Sequence, residues 1–235
     1  MRSRLPTWAT ITTTTWSDRV EDGLFLVLEG VEGAGKTTQV RLLEEWLKGL
    51  GLDVTAAREP GGTALGEAVR AVLLDRSELE VPPESELLLV LAARAAFVKD
   101  VVLPARARGD VVVADRFSLS TFAYQAYGRG IELETVRRLD AFARAGLEPD
   151  LTLLLDLPPE EGVRRQRTAG KGCDRIEQAG KAFHARVATG YRALAASGDH
   201  RICVIDAVGT TDAVHGLVRA ALREAFPGTF RILTG

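Results

Sequence analysis

The sequence has little cysteine, no excess of charge of either sign and no long apolar run. Its two cysteines, Cys173 and Cys203, lie far apart with no metal-ligand spacing. Neither a disulfide framework nor a cysteine metal site is written into the chain, and a reduced, cytoplasmic protein is expected. A formal net charge of −2 gives no electrostatic reason to expect nucleic acid or a membrane surface as partner. No apolar stretch approaches the roughly 20 residues that span a bilayer. Internal repeats and long linkers are also missing. With 235 residues, 46% of them hydrophobic, the expectation is one α/β domain with a sizeable core.

Residues 1–22 stand apart from that domain. They carry Arg2, Arg4, many threonines and two tryptophans, with no acidic residue before Asp18. No continuous apolar segment is present, which argues against a secretory signal. Arginine, hydroxyl groups and few acids are also the composition of an organellar transit peptide. The reading adopted is a disordered extension, or a start placed too early, with the folded domain beginning near Gly23.

What is present is organised around Gly30-Val31-Glu32-Gly33-Ala34-Gly35-Lys36-Thr37. This matches G-x-x-x-x-G-K-S/T, the phosphate-binding P-loop. Small residues at Gly30, Gly33, Ala34 and Gly35 let successive backbone N–H groups turn toward a phosphate. Lys36 adds a charge for the β and γ oxygens, and Thr37 offers a hydroxyl to Mg²⁺. An apolar run at 24–28 precedes the loop and a helical pattern at 37–48 follows it. The anion would therefore sit on a helix N-terminus. An ordinary strand–helix turn is the bland alternative.

Strand and helix patterns then alternate, which predicts a parallel sheet with helices on both faces. Further strands are expected at 53–57, 111–114, 151–156 and 201–205. Helices are expected at 64–74, 84–102 (ended by Pro104), 119–127, 133–145, 158–167, 174–197 and 211–226. Asp115 closes a strand, where an open α/β sheet binds ligands. It can hold Mg²⁺, and Arg116 can fork onto a phosphate; a structural Asp–Arg pair is the alternative. Arg58 and Glu59, before Gly61-Gly62, read as a ligand loop or a plain turn. Arg94 lies in an apolar helix and needs either a ligand or a buried carboxylate. The stretch from Arg164 through Arg165 and Arg167 to Gly172 is basic and then glycine-rich. That suits a mobile lid carrying cations, or a solvated face.

Taken together, these motifs resemble thymidylate kinases, from residue 24 to about 222. The carriers are Glu29 to Thr38, Arg58-Glu59-Pro60-Gly61-Gly62-Thr63, Ala92-Ala93-Arg94, Asp115-Arg116-Phe117 with Ser120 to Gln125, and Asp174-Arg175-Ile176-Glu177. The resemblance implies a P-loop NTPase fold with a five-stranded parallel sheet, helices on both faces and a short lid at about 164–177. It implies phosphoryl transfer from ATP to dTMP with Mg²⁺, and a homodimer. ATP is assigned to Gly30, Glu32, Gly33, Ala34, Gly35, Lys36, Thr37 and Thr38, with Mg²⁺ on Thr37 and Asp115. The acceptor is assigned to Glu32, Arg58, Glu59, Val90, Arg94, Arg116, Ser120, Thr121, Tyr124 and Gln125. Glu32 would face the sugar 3′-hydroxyl, and Tyr124 would crowd the 2′ position and so favour deoxyribose. Lys36, Arg116, Arg164 and Arg167 are the implied catalytic cations. Gly33 stands where one class of the family has arginine, so the catalytic arginine is expected from the lid, with Arg165 as a further candidate. Val90 stands where the family commonly has the phenylalanine that stacks on thymine. A deoxyribonucleoside kinase or a P-loop switch ATPase are the competing functions.

Overall fold

A computed structural model describes residues 23–76, 78–168, 175–198 and 201–230. The expected extension at 1–22 and the middle of the expected lid, 169–174, lie outside the described residues. Five parallel strands, β1 (Leu24–Gly30), β2 (Val54–Arg58), β3 (Val111–Asp115), β4 (Leu151–Asp156) and β5 (Ile202–Asp206), form one sheet in the order β2-β3-β1-β4-β5. The five parallel strands match the sequence expectation, which carried no strand order. Parallel strands require crossovers, and helices cover both faces.

The period-two alternation of β1 shows how one strand serves two cores. Leu24, Leu26 and Leu28 enter the larger core; Phe25 and Val27 enter a smaller one with Phe97, Val102, Val112 and Phe117. Each such side chain contributes about 1.5–3 kcal/mol when fully buried. Register then sets the site: Leu28 pairs with Asp115, and Arg58 with Asp115 from the other side. The ends of β1, β2 and β3 therefore lie together at the carboxyl edge of the sheet.

The helices are α1 (Lys36–Gly49), α2 (Ala64–Leu74), α3 (Pro83–Phe97), α4 (Leu103–Ala107), α5 (Ser118–Thr121), α6 (Leu133–Ala143), α7 (Pro159–Thr168), α8 (Lys181–Ser197), α9 (Thr211–Ala225) and α10 (Pro227–Phe230). Three expectations need correction. Pro104 does not end the helix before it. A widened π turn at Val98–Val102 intervenes, and α4 runs on through Pro104 near its own start, where a missing N–H does no harm. Second, the helix expected at 119–127 is α5 continued by a π segment at Phe122–Gly128. Third, the pattern at 174–197 is not one helix. A short turn at Glu177–Ala179 ends at Gly180, whose φ of 88° starts α8 afresh.

Candidate active site

A cavity of about 980 Å³ opens at the carboxyl edge of the sheet. The P-loop supplies its floor, with Glu32 to Thr38 lining it; Gly30 lies beneath, at the buried end of β1. The ammonium of Lys36 donates to the carbonyls of Gly30, at 2.9 Å, and Val31, at 2.8 Å. Burial, reinforced by Arg116, pushes its pKa down to about 8. The hydroxyl of Thr37 donates to Asp115 Oδ2 at 2.6 Å. A hydroxyl and a carboxylate held together beside a phosphate loop are the hard oxygen donors that suit Mg²⁺. Among the described residues no cluster of three or more His, Cys, Asp or Glu could hold a metal.

Against the P-loop stands a charged cluster built on Arg116. This residue has φ 77°, a left-handed conformation rare for a side chain of its size and typical of functional sites. Its backbone N–H is anchored on Leu28 O at 2.9 Å. One guanidinium nitrogen donates to Gly30 O (3.1 Å), Ser120 Oγ (3.0 Å) and the Tyr191 hydroxyl (3.1 Å). The other reaches Glu32 Oε1 at 2.9 Å. The Tyr124 hydroxyl donates to the same carboxylate, 2.5 Å from each oxygen. Burial works to raise the Glu32 pKa, but Arg116, Lys36 and the Tyr124 hydroxyl outweigh it and hold the carboxyl below its ordinary value. Glu32 therefore stays an anion inside the P-loop.

Beneath this cluster lies Glu29, which the sequence reading did not select. It is fully buried and accepts from the backbone N–H groups of Phe117 (2.8 Å) and Ser120 (3.0 Å), the Ser120 hydroxyl (2.5 Å) and the Tyr191 hydroxyl (3.1 Å). Its carboxylate thus binds N–H groups at the start of α5, whose Ser120 and Thr121 line the cavity. A charge at the end of an apolar strand was the available signal. Tyr191, 167 residues beyond the start of β1 in α8, had no local one.

The cavity wall also holds Arg58, Glu59, Val90, Arg94, Ser120, Thr121, Tyr124 and Gln125. Arg58 is exposed and pairs with Glu67 at 2.9 Å. Arg94 is 1% exposed. It meets Glu59 through Nε at 3.0 Å and Nη2 at 2.6 Å, Thr121 Oγ1 at 2.9 Å, and Asp140. The buried-carboxylate reading of Arg94 therefore holds alongside its place in the wall, and Asp140 on α6 is a partner the sequence did not reveal. Val90 joins Val69, Leu73 and Ala93 in a small apolar cluster.

Of the arginines in α7, the structure brings Arg165 to the cavity, donating to Ala207 O at 3.0 Å. Arg164 is exposed and forks onto Glu161, and Arg167 is exposed. The start of α7 is fixed by backbone contact with the P-loop. A Cβ at Gly162 would lie 2.1 Å from Glu32 O, and one at Gly33 2.3 Å from Gly162 O. Gly162→Ala is expected to push α7 off the loop and lower kcat by about 10–100-fold, the scale of an ångström misplacement. Steady-state kinetics beside a thermal melt tests this. Unchanged kcat would show that α7 need not seat so closely.

A sequence model of the family described as Thymidylate kinase matches residues 28–218. The chain belongs to the thymidylate kinase family. It is 44% identical over 206 residues to a thymidylate kinase of Caldanaerobacter subterraneus subsp. tengcongensis, covering 88% of this chain and 98% of that protein. Identity is 51% over 187 residues with a thymidylate kinase of Synechococcus sp. (strain JA-3-3Ab), covering 80% and 89%. A crystal structure of thymidylate kinase from Ehrlichia chaffeensis superposes with a TM-score of 0.69 at 32% identity, covering 85% of this chain and 98% of that one. As a thymidylate kinase family member, the chain is an ATP-dependent nucleoside monophosphate kinase with a P-loop fold. Among the described residues no helix is long and apolar enough to cross a membrane.

Proposed function

We propose that the chain transfers the γ-phosphoryl of ATP to dTMP, giving dTDP and ADP. One observation carries this reading: a P-loop and a wall bearing Arg58, Arg94 and Arg116 line one cavity, with Arg116 and Tyr124 both bonded to Glu32 of the loop. An acceptor monophosphate is largely ionised at neutral pH, its second pKa being about 6, so no general base is required. The attacking oxygen of dTMP forms the new P–O bond as the bond to the β-phosphate oxygen of ATP breaks, and ADP leaves with that electron pair. The protein's task is to hold two anions in line and neutralise charge between them.

Lys36 and the P-loop N–H groups cradle the donor phosphates, and Arg116 and Arg58 restrain the acceptor phosphate. Thr37 and Asp115 would hold Mg²⁺, which would neutralise charge on the donor phosphates. The arginines of α7 would complete the cationic shell, with the segment at about 164–177 acting as the lid. Tyr124, bonded to Glu32, closes the space beside the sugar and disfavours a 2′-hydroxyl. Two copies would associate through the adjoining helices α2, α3 and α6, which leave Leu65, Leu88, Leu139 and Phe142 exposed, the last by 88%. A coupled ADP-release assay over a panel of monophosphates and thymidine tests the function. Turnover that depends on dTMP is expected; equal turnover with thymidine, or without an acceptor, would replace it with a nucleoside kinase or an ATPase.

Val90 sets a second test. Base–aromatic stacking is worth about 1–3 kcal/mol, and an aliphatic side chain recovers part of it. Val90→Phe is expected to tighten dTMP binding by roughly 0.5–1.5 kcal/mol, the margin of an aromatic pair over plain burial. Titration calorimetry beside a melt separates this from overpacking, which lowers stability by about 1–3 kcal/mol without affinity gain.

A further inference from the structure

Glu86 is a carboxylate that the mechanism does not use. It sits in the first turn of α3, and its side chain is 1% exposed. Four bonds from three side chains converge on it. Oε1 accepts from Gln125 Nε2 at 2.9 Å and Arg129 Nε at 3.0 Å; Oε2 accepts from Arg129 Nη2 at 2.9 Å and Arg175 Nη2 at 2.8 Å. A carboxylate has about four lone-pair directions, so none remains for a ligand. Glu86 is therefore a clasp and not a contact for substrate.

What it clasps lies at the cavity. Gln125 and Ile176 both line it, as do Val90 and Arg94, one and two turns along α3 from Glu86. Arg175 is further tied down, its Nε donating to Leu73 O at 2.9 Å. The bond to Gln125 carries chemical information beyond position. An ionised carboxylate only accepts, so the amide of Gln125 must turn its NH₂ toward Glu86. Its carbonyl oxygen and one N–H remain for the cavity. A thymine ring presents an N–H donor between two carbonyl acceptors, which that pair can meet. Cytosine has a bare lone pair at the same ring nitrogen.

We infer that Glu86 is a positioning residue for base selectivity: it fixes the polarity of the Gln125 amide so that the cavity favours a pyrimidine with a ring N–H over cytosine. This rests on the proposed dTMP kinase activity. Glu86→Gln makes the consequence sharp. Arg129 and Arg175 both point at the Oε2 position, against Arg129 Nε alone besides Gln125 at Oε1, and keep the new amide oxygen at Oε2. The new NH₂ then falls at the Oε1 position, facing Gln125. Two NH₂ groups cannot face each other, so Gln125 reverses and presents donors to the base. A site that loses its matched partner loses discrimination.

The test is kcat/KM for dTMP and dCMP, with KM for ATP, on the wild-type chain, Glu86→Gln and Arg175→Met, each with a thermal melt. Glu86→Gln is expected to lower the dTMP:dCMP preference at least about 10-fold, chiefly through KM for dTMP, with KM for ATP within about twofold. Arg175→Met keeps the carboxylate facing Gln125, so its preference is expected to stay within about twofold of wild type. That arm decides the matter even if Glu86→Gln does not fold: preference lost in Arg175→Met would mean that Glu86 only anchors the Arg175 segment. Preference retained by a folded Glu86→Gln, or parallel loss for ATP and dTMP, overturns the inference. A wild-type chain that phosphorylates no pyrimidine monophosphate overturns the functional reading instead.

Discussion

Lys36→Ala is expected to leave a folded protein whose turnover with dTMP and ATP falls at least about 100-fold, the scale of losing one preorganised charge at the transferring oxygens. Lys36 is only 7% exposed, and its two protein bonds go to carbonyls of the P-loop itself, Gly30 and Val31. Those carbonyls hold the ammonium at the cavity, where the proposed function puts the β and γ phosphates. Removing it takes no partner from any carboxylate in direct contact, so no buried anion is stranded and the fold should persist. The loss should appear in kcat more than in KM for ATP, because charge on the three transferring oxygens grows toward the transition state. Single-turnover measurement isolates that step. A variant with parental turnover would remove Lys36 from the chemistry.

The contrast between Lys36 and the rest of the site explains what the sequence could reveal. A P-loop demands small residues at fixed spacing, so Gly30, Gly33, Gly35, Lys36 and Thr37 are legible without any fold. Strands were legible because burial on both faces gives continuous apolar runs, as at 24–28 and 111–114. Helix ends were less so. Pro104 and Gly180 both act through backbone geometry that depends on the turn before them, a widened π turn in one case and a short 3₁₀ turn in the other. The partners of buried charges were not legible at all. Asp140 lies 46 residues from Arg94, and Glu29 lies 162 residues from Tyr191. Nothing local marks either pair, since folding alone brings them together. The arginines of α7 show the same limit: composition identified a basic run, while only helix phase selects Arg165 for the cavity.

Arg94→Met is expected to destabilise the protein by about 3–5 kcal/mol, the usual result of removing one partner from a buried ion pair. In the parent, one guanidinium serves two carboxylates, Glu59 at 1% and Asp140 at 0% side-chain exposure. Asp140 keeps a second cation, Arg144, whose Nε lies 2.9 Å away. Glu59 is the group left stranded. Even with Arg94 opposing it, burial pushes the Glu59 carboxyl up to about 7; without Arg94 it should rise further. The sign of the pH dependence follows. A folded-state pKa above the unfolded value means that the native state binds more protons, so stability falls as pH rises from the unfolded pKa through the folded one. The variant should therefore recover at pH 5.5 relative to pH 8, over a window reaching higher than in the parent. Glu59→Gln in the Arg94→Met background removes the stranded charge and should regain at least about 1 kcal/mol at pH 8. For a chain of this size the single variant should melt roughly 6–20 °C lower. Calorimetry at the two pH values decides it. A melting point within about 3 °C of the parent at pH 8, on the same scale, would mean that water reaches Glu59 and that Arg94 is held in place for its ligand alone.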